Sequence, residues 1–418
     1  MMVRLLYSLI IYLATPLILL RLLWRARRQP EYLRNLAERW AIYGVAAPAR
    51  LIWVHAVSVG ETRAAQPLIE ALQAAWPEHR ILLTCMTPTG RAAGQEVYGD
   101  KVMQAYLPYD YPDAVDRFLR HFSPSFGVLM ETEIWPNLLA AAKHRRVPVF
   151  LANARLSERS ARAYGKAAAL ARPAFSALSA VAAQTPGDAT RIAGLGAGNV
   201  SVCGNLKFDV TPAPEKIALG NTWREALGSR QVWLAASTRD GEEALLLEAW
   251  RGIPASRALL VLVPRHPQRF AEVAALLTGL GIDFVQRSDS LPGLETQIWL
   301  GDSMGEMAAY YTLADIAFVG GSLVPLGGQN LIEAAACGCP GVVGPHTFNF
   351  LQATADAIAA GAALRVPDAE GLAAIICRAL GDAGELAEMR AAALSFAGAH
   401  RGASARTLAL IRSVITGQ

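Results

Sequence analysis

The sequence predicts an α/β protein built from two Rossmann-like halves, and three observations support this prediction. The chain of 418 residues is long enough for two domains of ordinary size. After an apolar leader, short apolar runs alternate with amphipathic stretches, which is typical of βαβ units and parallel sheets. The segment VTPAPEKIALGN (residues 210–221) interrupts this alternation with two prolines and a glycine, so we interpret it as a linker.

The first series contains seven candidate strands, each a short and mostly apolar run. They are Leu51–Ala56, Ile81–Cys85, Val102–Leu107, Phe126–Met130, Val147–Leu151, Ala180–Ala183 and Val200–Cys203. Helical stretches are predicted between them, for example at Tyr111–Arg120 and Ser157–Ala171. The predicted division is an anchor at 1–28, a first domain at 29–210 and a linker at 211–221.

The second series repeats the pattern and ends in helices. Its candidate strands are Val232–Ala236, Ala258–Val263, Asp283–Val285, Gln297–Leu300, Ile316–Val319, Gly341–Val343 and Ala363–Val366. Helical stretches follow at Gly371–Leu380, Glu385–Phe396 and Ser404–Ile415. The second domain is therefore predicted to extend over residues 222–418.

The leader is apolar and is followed by arginines. Residues 5–20 carry no charge, but this run is shorter than the roughly 20 residues of a usual spanning helix, and Pro16 interrupts it. The flank WRARRQP lacks the small-residue cleavage site of a signal peptide. We predict an uncleaved anchor that keeps the downstream chain on the cytoplasmic side of a membrane and that either spans the bilayer or lies in its interface. A buried helix of the globular body is the alternative.

The charge distribution points to the same partner. Residues 1–40 contain seven arginines and two glutamates, whereas the rest of the chain contains 32 basic and 33 acidic residues. A basic excess confined to the leader suits an anionic lipid surface and predicts no nucleic-acid partner.

Metal and redox motifs are missing from the sequence. The five cysteines have neither zinc nor CxxC spacing and are interpreted as small buried residues, and the seven histidines are scattered. No P-loop and no Asp-x-Asp motif occurs. We therefore expect no metal and no cofactor.

Charged residues follow several strands of the first half, at the edge where open α/β sheets bind ligands. They are Glu61, Glu131, Glu133, Arg155 and Lys207. A carboxylate near cations is able to act as a general base. Each residue alone is better explained by a loop ion pair, and Glu61 by helix capping with a lowered pKa, but together they predict a site.

The second half presents hydroxyls, glycines and cations after its strands, which are groups that bind phosphate. They are Ser237, Arg265, His266, the segment 301–306, the run Gly320-Gly321-Ser322, and the glycine pair Gly327-Gly328 before Asn330 and Glu333. Glu333 is placed to accept hydrogen bonds from ribose hydroxyls. Helix capping, a tight turn and a structural histidine are the alternatives.

With these residues placed, the chain resembles the bacterial Kdo (3-deoxy-D-manno-octulosonic acid) transferases of lipopolysaccharide synthesis. The resemblance extends from the leader to about Asn349. It is carried in order by HAVSVGET (55–62), MTPTG (86–90), METEIWPN (130–137), ANARLS (152–157), GNLKFD (204–209), VPRHPQRF (263–270), GDSMGEM (301–307) and GGQNLIEAAA (327–336).

The resemblance implies a fold and a reaction. It implies a GT-B fold, with two Rossmann-like domains facing a central cleft and an N-terminal membrane anchor. It also implies CMP-Kdo as the donor substrate, a lipid A precursor (lipid IVA) as the acceptor, and transfer with inversion and without a metal.

The resemblance also implies roles for individual residues. The family's catalytic base matches Glu61, and its transition-state-stabilising residues match Lys207 and Glu131, which we prefer to Glu133. The family's CMP contacts match Arg265, His266, Met304, Gly305, Glu306, Asn330, Leu331, Ile332 and Glu333. Further candidates are Arg155, Ser237 and Ser322.

Three other functions compete with this interpretation. A UDP-sugar transferase acting on a lipid would prefer UDP to CMP. A nucleotide-sugar epimerase shares the two-domain architecture but has no need of an apolar leader. A membrane-peripheral binding protein without catalysis would tolerate Glu61→Gln.

Overall fold

The computed structural model describes residues 2–209, 211–253 and 258–417. The chain divides into two compact units. Unit 1 comprises Met1–Val210 and Arg401–Gln418, and unit 2 comprises Thr211–His400.

Unit 1 is built on a sheet of seven parallel strands. They are β1 Leu51–His55, β2 Arg80–Cys85, β3 Val102–Tyr106, β4 Phe126–Met130, β5 Val149–Ala154, β6 Ala180–Ala183 and β7 Val200–Val202. Their order is β3-β2-β1-β4-β5-β6-β7, so the winding reverses between β1 and β4. Open α/β sheets bind ligands at this reversal. Every strand predicted for the first half is present, with ends shifted by a few residues at most.

Helices cover both faces of this sheet. They are α1 Met2–Leu13, α2 Thr15–Ala26, α3 Val59–Ala64, α4 Gln66–Ala75, α5 Pro88–Tyr98, α6 Pro112–Phe122, α7 Pro136–His144, α8 Glu158–Lys166, α9 Ala168–Phe175 and α10 Pro186–Gly194, with short 3₁₀ helices at Pro30–Leu33, Leu36–Trp40, Gly99–Lys101 and Leu206–Asp209. Side chains of a strand point alternately to the two faces, so Trp53 joins one apolar core and its neighbours Ile52 and Val54 join the other.

Unit 2 contains a second parallel sheet of seven strands. They are β8 Gln231–Thr238, β9 Ala258–Pro264, β10 Phe284–Gln286, β11 Ile298–Leu300, β12 Ile316–Val319, β13 Gly341–Val343 and β14 Ala363–Arg365. Their order is β10-β11-β9-β8-β12-β13-β14, which places the winding reversal between β8 and β12. All strands predicted for the second half are present.

The helices of unit 2 again lie on both faces of its sheet. They are α11 Pro214–Leu227, α12 Glu242–Arg251, α13 Phe270–Gly279, α14 Met307–Leu313, α15 Leu331–Ala336, α16 Leu351–Ala359, α17 Ala369–Gly381 and α18 Ala383–Ala399, with 3₁₀ helices at Pro267–Arg269 and Phe348–Phe350.

The predicted linker differs from the structure, because most of it is helical. Pro214 occupies the first turn of α11, where the backbone N–H that proline lacks would have no partner within the helix. Gly220 lies inside this helix against α14, and a Cβ atom at Gly220 would come within 2.5 Å of the carbonyl oxygen of Ala309. The proline and the glycine that indicated a linker therefore serve helix initiation and close helix packing.

The last helix also departs from the prediction, since it belongs to unit 1. It is α19 (Ala403–Thr416), which packs on α4, β6 and the 3₁₀ helix Leu206–Asp209. Asp209 accepts hydrogen bonds from the backbone N–H groups of Gly402 (2.6 Å) and Ser404 (2.5 Å) at the start of this helix. Burial of Ile411 in the core of unit 1 completes the attachment.

The leader forms two helices joined at a bend of 48° between α1 and α2. Among the described residues no single helix passes the length and composition test for a membrane span, and this pair passes it only when taken together. One side of α1 contacts α7 and α9, with Ser8 buried, whereas leucines such as Leu9 and Leu13 are exposed. The membrane anchor stays a prediction.

Candidate functional site

Glu61 occupies the third position of α3, directly after the loop that leaves β1. Ser58 caps this helix by accepting a hydrogen bond from the N–H of Glu61 (3.2 Å). The Glu61 carboxyl accepts hydrogen bonds from the Ser58 hydroxyl (2.8 Å) and from the N–H of Val57 (3.0 Å). The arrangement is close to a capping box and fixes the side chain at the carboxyl end of β1.

The capping hydrogen bonds lower the pKa of Glu61, as expected for a capping residue, but other effects outweigh them and the pKa is raised. The pKa of Glu61 is raised from 4.5 to about 7, mainly by burial and in part by the negative charges of Glu131 and Glu133, against the opposing effect of the hydrogen bonds. A carboxyl group with such a pKa is half ionised near neutral pH, which suits a general base.

The loop after β4 supplies two further carboxylates. Glu131 has a positive φ of 57°, and its N–H donates to the carbonyl of Ala152 at 2.9 Å. Glu133 accepts a hydrogen bond of 2.8 Å from the indole N–H of Trp135. Burial, together with the charge of Glu131, raises the pKa of Glu133. A non-glycine residue at positive φ persists only where its surroundings fix it, as here between β4 and α7.

Lys207 provides a cation beside these carboxylates. Its 3₁₀ helix is tied to the end of β5, because the N–H of Leu206 donates to the Asn153 side-chain oxygen at 3.0 Å. Burial lowers the pKa of the Lys207 ammonium, Arg155 lowers it further, and the charges of Glu131 and Glu61 raise it. The structure therefore links the five predicted residues of the first half in one electrostatic network, in which Glu133 interacts with Glu61 and Glu131, and Lys207 interacts with Glu61, Glu131 and Arg155.

Two supporting residues of this site were missed by the sequence analysis. Asn153 is 1% exposed with a positive φ of 52°, and it joins β5 to the Lys207 segment. Asp209 holds the other end of that segment by capping α19. The only sequence signal was their position in the blocks ANARLS and GNLKFD.

In unit 2, Arg265 and His266 follow β9, and the N–H of Arg265 donates to the carbonyl of Thr238 at 3.0 Å. Burial lowers the pKa of His266, and Arg239, Arg265 and Arg269 lower it further. Cations thus surround a neutral imidazole at the carboxyl end of the sheet. This environment suits an anionic ligand such as a phosphate.

Glu333 and Arg265 both lie near the buried ring of Tyr311. The pKa of the buried Tyr311 phenol is raised mainly by burial, with Glu333 raising and Arg265 lowering it, so both groups lie close to this ring. Asn330 caps α15 by accepting from the N–H of Ile332 (3.2 Å), and its amide donates to Glu333 at 3.0 Å. Leu331 and Ile332 are 3% and 1% exposed, so their side chains belong to the interior of unit 2.

The segment 304–306 presents a different surface. Met304 is 49% exposed, and Gly305 adopts a positive φ of 75° that favours glycine. The Glu306 carboxyl is already engaged, since it accepts from the Ser303 hydroxyl at 2.6 Å and pairs with Arg287 at 3.3 Å.

One predicted phosphate-binding element is occupied by the protein itself. Glu242 is fully buried, and its carboxyl accepts from the N–H groups of Gly321 (2.6 Å), Ser322 (3.0 Å) and Leu323 (3.0 Å) and from that of Arg239 (3.1 Å). These glycine-loop amides were predicted to bind phosphate. The Glu242 carboxyl takes the place expected for the phosphate, and no sequence motif indicates this contact.

Ser322 and Ser237 also have local roles. The buried Ser322 hydroxyl donates to the carbonyl of Val319 (2.5 Å) and accepts from the N–H of Gly344 (2.9 Å), which stabilises the loop. Ser237 has a positive φ of 56° and lies against Gly320. A Cβ atom at position 320 would come within 2.5 Å of the Ser237 carbonyl oxygen, so the two backbones pack closely here.

No group of three His, Cys, Asp or Glu side chains in residues 2–209, 211–253 and 258–417 is arranged to hold a metal ion.

Comparisons with known proteins identify the family. The family model described as 3-deoxy-D-manno-octulosonic-acid transferase (kdotransferase) matches residues 34–210. The chain is 46% identical to the 3-deoxy-D-manno-octulosonic acid transferase of Bordetella pertussis, over 96% of this chain and 97% of the relative. The chain belongs to the Kdo transferase family. It is also 41% identical to the Kdo transferase of Haemophilus influenzae, over 83% of each chain.

Solved structures agree with the fold of this Kdo transferase family member. A glycosyltransferase from Rickettsia africae has a TM-score of 0.60 at 13% identity, covering 90% of this chain and 100% of that one. A putative UDP-N-acetylglucosamine 2-epimerase from Listeria monocytogenes has a TM-score of 0.58 at 16% identity, covering 88% and 97%. At these identities the likeness concerns the fold alone, which is the GT-B type predicted above.

Proposed function

We propose that the protein transfers Kdo from CMP-Kdo to a lipid A precursor in lipopolysaccharide synthesis, with inversion and without a metal. The observation that carries this proposal is the environment of Glu61, whose pKa is raised to about 7 beside Glu131, Glu133 and Lys207. Membership of the Kdo transferase family supports Kdo as the transferred sugar, and the environment of Glu61 supports general-base catalysis.

Glu61 acts as the general base in this proposal. An acceptor hydroxyl attacks the anomeric carbon of Kdo and gives its proton to the Glu61 carboxylate as the bond to the CMP phosphate breaks. Attack on the face opposite the leaving group inverts the configuration. A base with a pKa close to the operating pH accepts this proton efficiently without being protonated before the reaction.

Lys207 and Glu131 stabilise the charges of this step. The acceptor phosphates and the Kdo carboxylate are anionic, and the buried Lys207 ammonium, with Arg155 near it, offsets that charge. Glu131 offsets the positive charge that develops at the anomeric carbon while also raising the pKa of the base.

Unit 2 binds the donor in this proposal. Arg239 and Arg265 beside His266 bind the CMP phosphate, which leaves as a single stabilised anion, so cations take the role that a metal has in other transferases. Arg269, the third arginine near His266, is ion-paired with Asp240 and Glu243. Glu333 accepts hydrogen bonds from the ribose. The exposed leucines and the arginines of the leader hold the protein on the anionic cytoplasmic face of the inner membrane, where a lipid acceptor resides.

The test is a transfer reaction with purified protein, CMP-Kdo and lipid A precursor in mixed micelles, followed by mass spectrometry of the lipid. We expect the acceptor mass to increase by whole Kdo residues, with an equal yield in the presence of a chelator. Transfer from a UDP-sugar but not from CMP-Kdo would exclude the proposed donor. Inhibition by the chelator that magnesium reverses would exclude the metal-free mechanism.

A further inference from the structure

Asp110 lies in the loop between β3 and α6, and its side chain caps the N-terminus of a different helix, α7. Its side chain is 2% exposed. One carboxyl oxygen accepts from the N–H of Leu138 at 2.8 Å, and the other accepts from the N–H of Asn137 at 3.0 Å. Both donors belong to the first turn of α7, whose N–H groups have no partner within the helix. Asp110 therefore fixes the N-terminus of α7.

The leader helix α1 joins this arrangement through its buried side. The Tyr7 hydroxyl donates to the Asp110 carboxyl at 3.1 Å. Ser8 is bonded to the side chain of Asn137, with 3.2 Å between the Ser8 hydroxyl and the amide oxygen. The amide N–H of Asn137 also donates to the backbone carbonyl of Asp110 at 2.7 Å. Thus α1 is hydrogen-bonded to both the capping residue and the helix that it caps.

The position of α7 determines the position of the acidic loop. Residues 131–135 are the whole connection between β4 and α7, and they carry Glu131 and Glu133. The Trp135 indole at the end of this connection donates to Glu133. A connection of this length between two fixed ends has little freedom, so a shift of the first turn of α7 moves both carboxylates.

The geometry points to a second role for the N-terminal helix, namely that α1 positions the acidic loop of the acceptor site through Asp110 and Asn137. The inference rests on the proposed function, in which that loop takes part in Kdo transfer. Asp110 and Tyr7 are positioning residues, since they act on the reaction through Glu131 and Glu133. The leader is then part of the working enzyme even where no bilayer is present.

The experiment compares Asp110→Asn and Tyr7→Phe with the wild type, all as full-length chains in detergent micelles that contain the lipid acceptor. Asparagine turns an amide N–H toward groups that donate to Asp110, and phenylalanine removes the contact with α1. We expect kcat to fall about tenfold or more for Asp110→Asn and several-fold for Tyr7→Phe, because small displacements of reacting groups reduce rates strongly. The KM for CMP-Kdo stays unchanged.

The pH profile separates positioning from general destabilisation. Glu61 is faced by Glu131, Glu133 and Lys207, and the two carboxylates raise its pKa. If the acidic loop moves away in the variants, the acid limb of kcat/KM shifts to lower pH. A merely structural role lowers the melting temperature and leaves this limb in place.

Tyr32→Phe is the matched control. It makes the same change near the end of the leader, where the hydroxyl bonds to Arg25 at 3.4 Å and not to Asp110. We expect wild-type kcat from this variant. The inference is overturned if folded Tyr7→Phe has the kcat and acid limb of an active wild type, or if Tyr32→Phe loses as much activity. If Asp110→Asn does not fold, the kcat and the acid limb of Tyr7→Phe alone test the inference. A wild type that transfers no Kdo removes the proposed function and this inference with it.

Discussion

At the scale of single residues, the behaviour of Glu61 follows from two opposed effects. Its hydrogen bonds from Val57 and Ser58 favour the carboxylate, whereas burial and two neighbouring carboxylates favour the acid. The second group prevails, and the pKa of Glu61 rises to about 7. The same hydrogen bonds orient the base, so position and basicity are set together.

The raised pKa predicts how transfer depends on pH. A general base must be ionised, so kcat/KM for the acceptor is expected to increase with pH through about 7 and then to level off. Measuring initial rates across this range with donor in excess tests the assignment. A rate already at its plateau near pH 5 would contradict it.

Glu61 also predicts how stability depends on pH. Its folded-state pKa of about 7 lies above the ordinary 4.5, so the folded state favours the protonated form. Ionisation of Glu61 therefore destabilises the folded state. This destabilisation is absent below pH 4.5, grows as the pH rises, and is complete above pH 7. Glu61→Gln removes it, because glutamine does not ionise. We expect this variant to raise the free energy of unfolding by up to about 3 kcal/mol near pH 8 and to change it little near pH 4. Denaturant unfolding at both pH values measures the difference, and an equal change at both would contradict the pKa.

The residues of this site could be predicted from the sequence, but their protonation states could not. Glu61, Glu131 and Lys207 follow strands of one predicted sheet, so their proximity follows from the topology. The direction of the pKa shift of Glu61 depends on how deeply its carboxyl is buried, which no local pattern reports.

At the scale of elements, the loop after β12 shows why a sequence motif can mislead. Gly320-Gly321-Ser322 has the composition of a phosphate-binding turn, but the carboxyl of Glu242 from the start of α12 already accepts its N–H groups. The partner is about 80 residues away in the chain, so local sequence contains no trace of it. The Glu242 carboxyl is a structural acceptor in the place of a ligand.

Substitution of Glu242 is expected to reduce the stability of the protein strongly. Glu242→Gln replaces one acceptor oxygen by an amide that faces N–H donors, so we expect the free energy of unfolding to fall by about 3 kcal/mol or more. Glu248→Gln, an exposed position on the same helix, is the matched control and should change it by no more than about 0.5 kcal/mol. Equal stability of the two variants in denaturant unfolding would refute the structural role.

At the scale of the whole molecule, the two units have different chemistry at the carboxyl ends of their sheets. Unit 1 presents half-buried carboxylates beside Lys207, and unit 2 presents arginines around His266. The alternation of apolar runs was sufficient to predict both sheets, because parallel strands are continuous and buried. The return of α19 to unit 1 was not predictable, since the capping contact from Asp209 joins residues 193 to 195 positions apart.

This division predicts which nucleotide stabilises the protein. A ligand that binds only the folded state raises the melting temperature, and at 100 times its Kd it contributes about 2.7 kcal/mol. We expect CMP to give a thermal shift that is lost in Arg265→Ala, because this guanidinium is assigned to the phosphate. A shift with UDP alone would favour a different donor.

The central claim is that the Glu61 carboxylate takes the acceptor proton, and kinetic comparison of Glu61→Gln with wild type tests it most directly. Glu158→Gln, which alters an exposed pair with Arg162 on α8, is the matched control. We predict that Glu61→Gln lowers kcat for Kdo transfer by about 10²-fold or more while CMP still binds, and that Glu158→Gln keeps the wild-type rate. Wild-type turnover by Glu61→Gln would contradict the account.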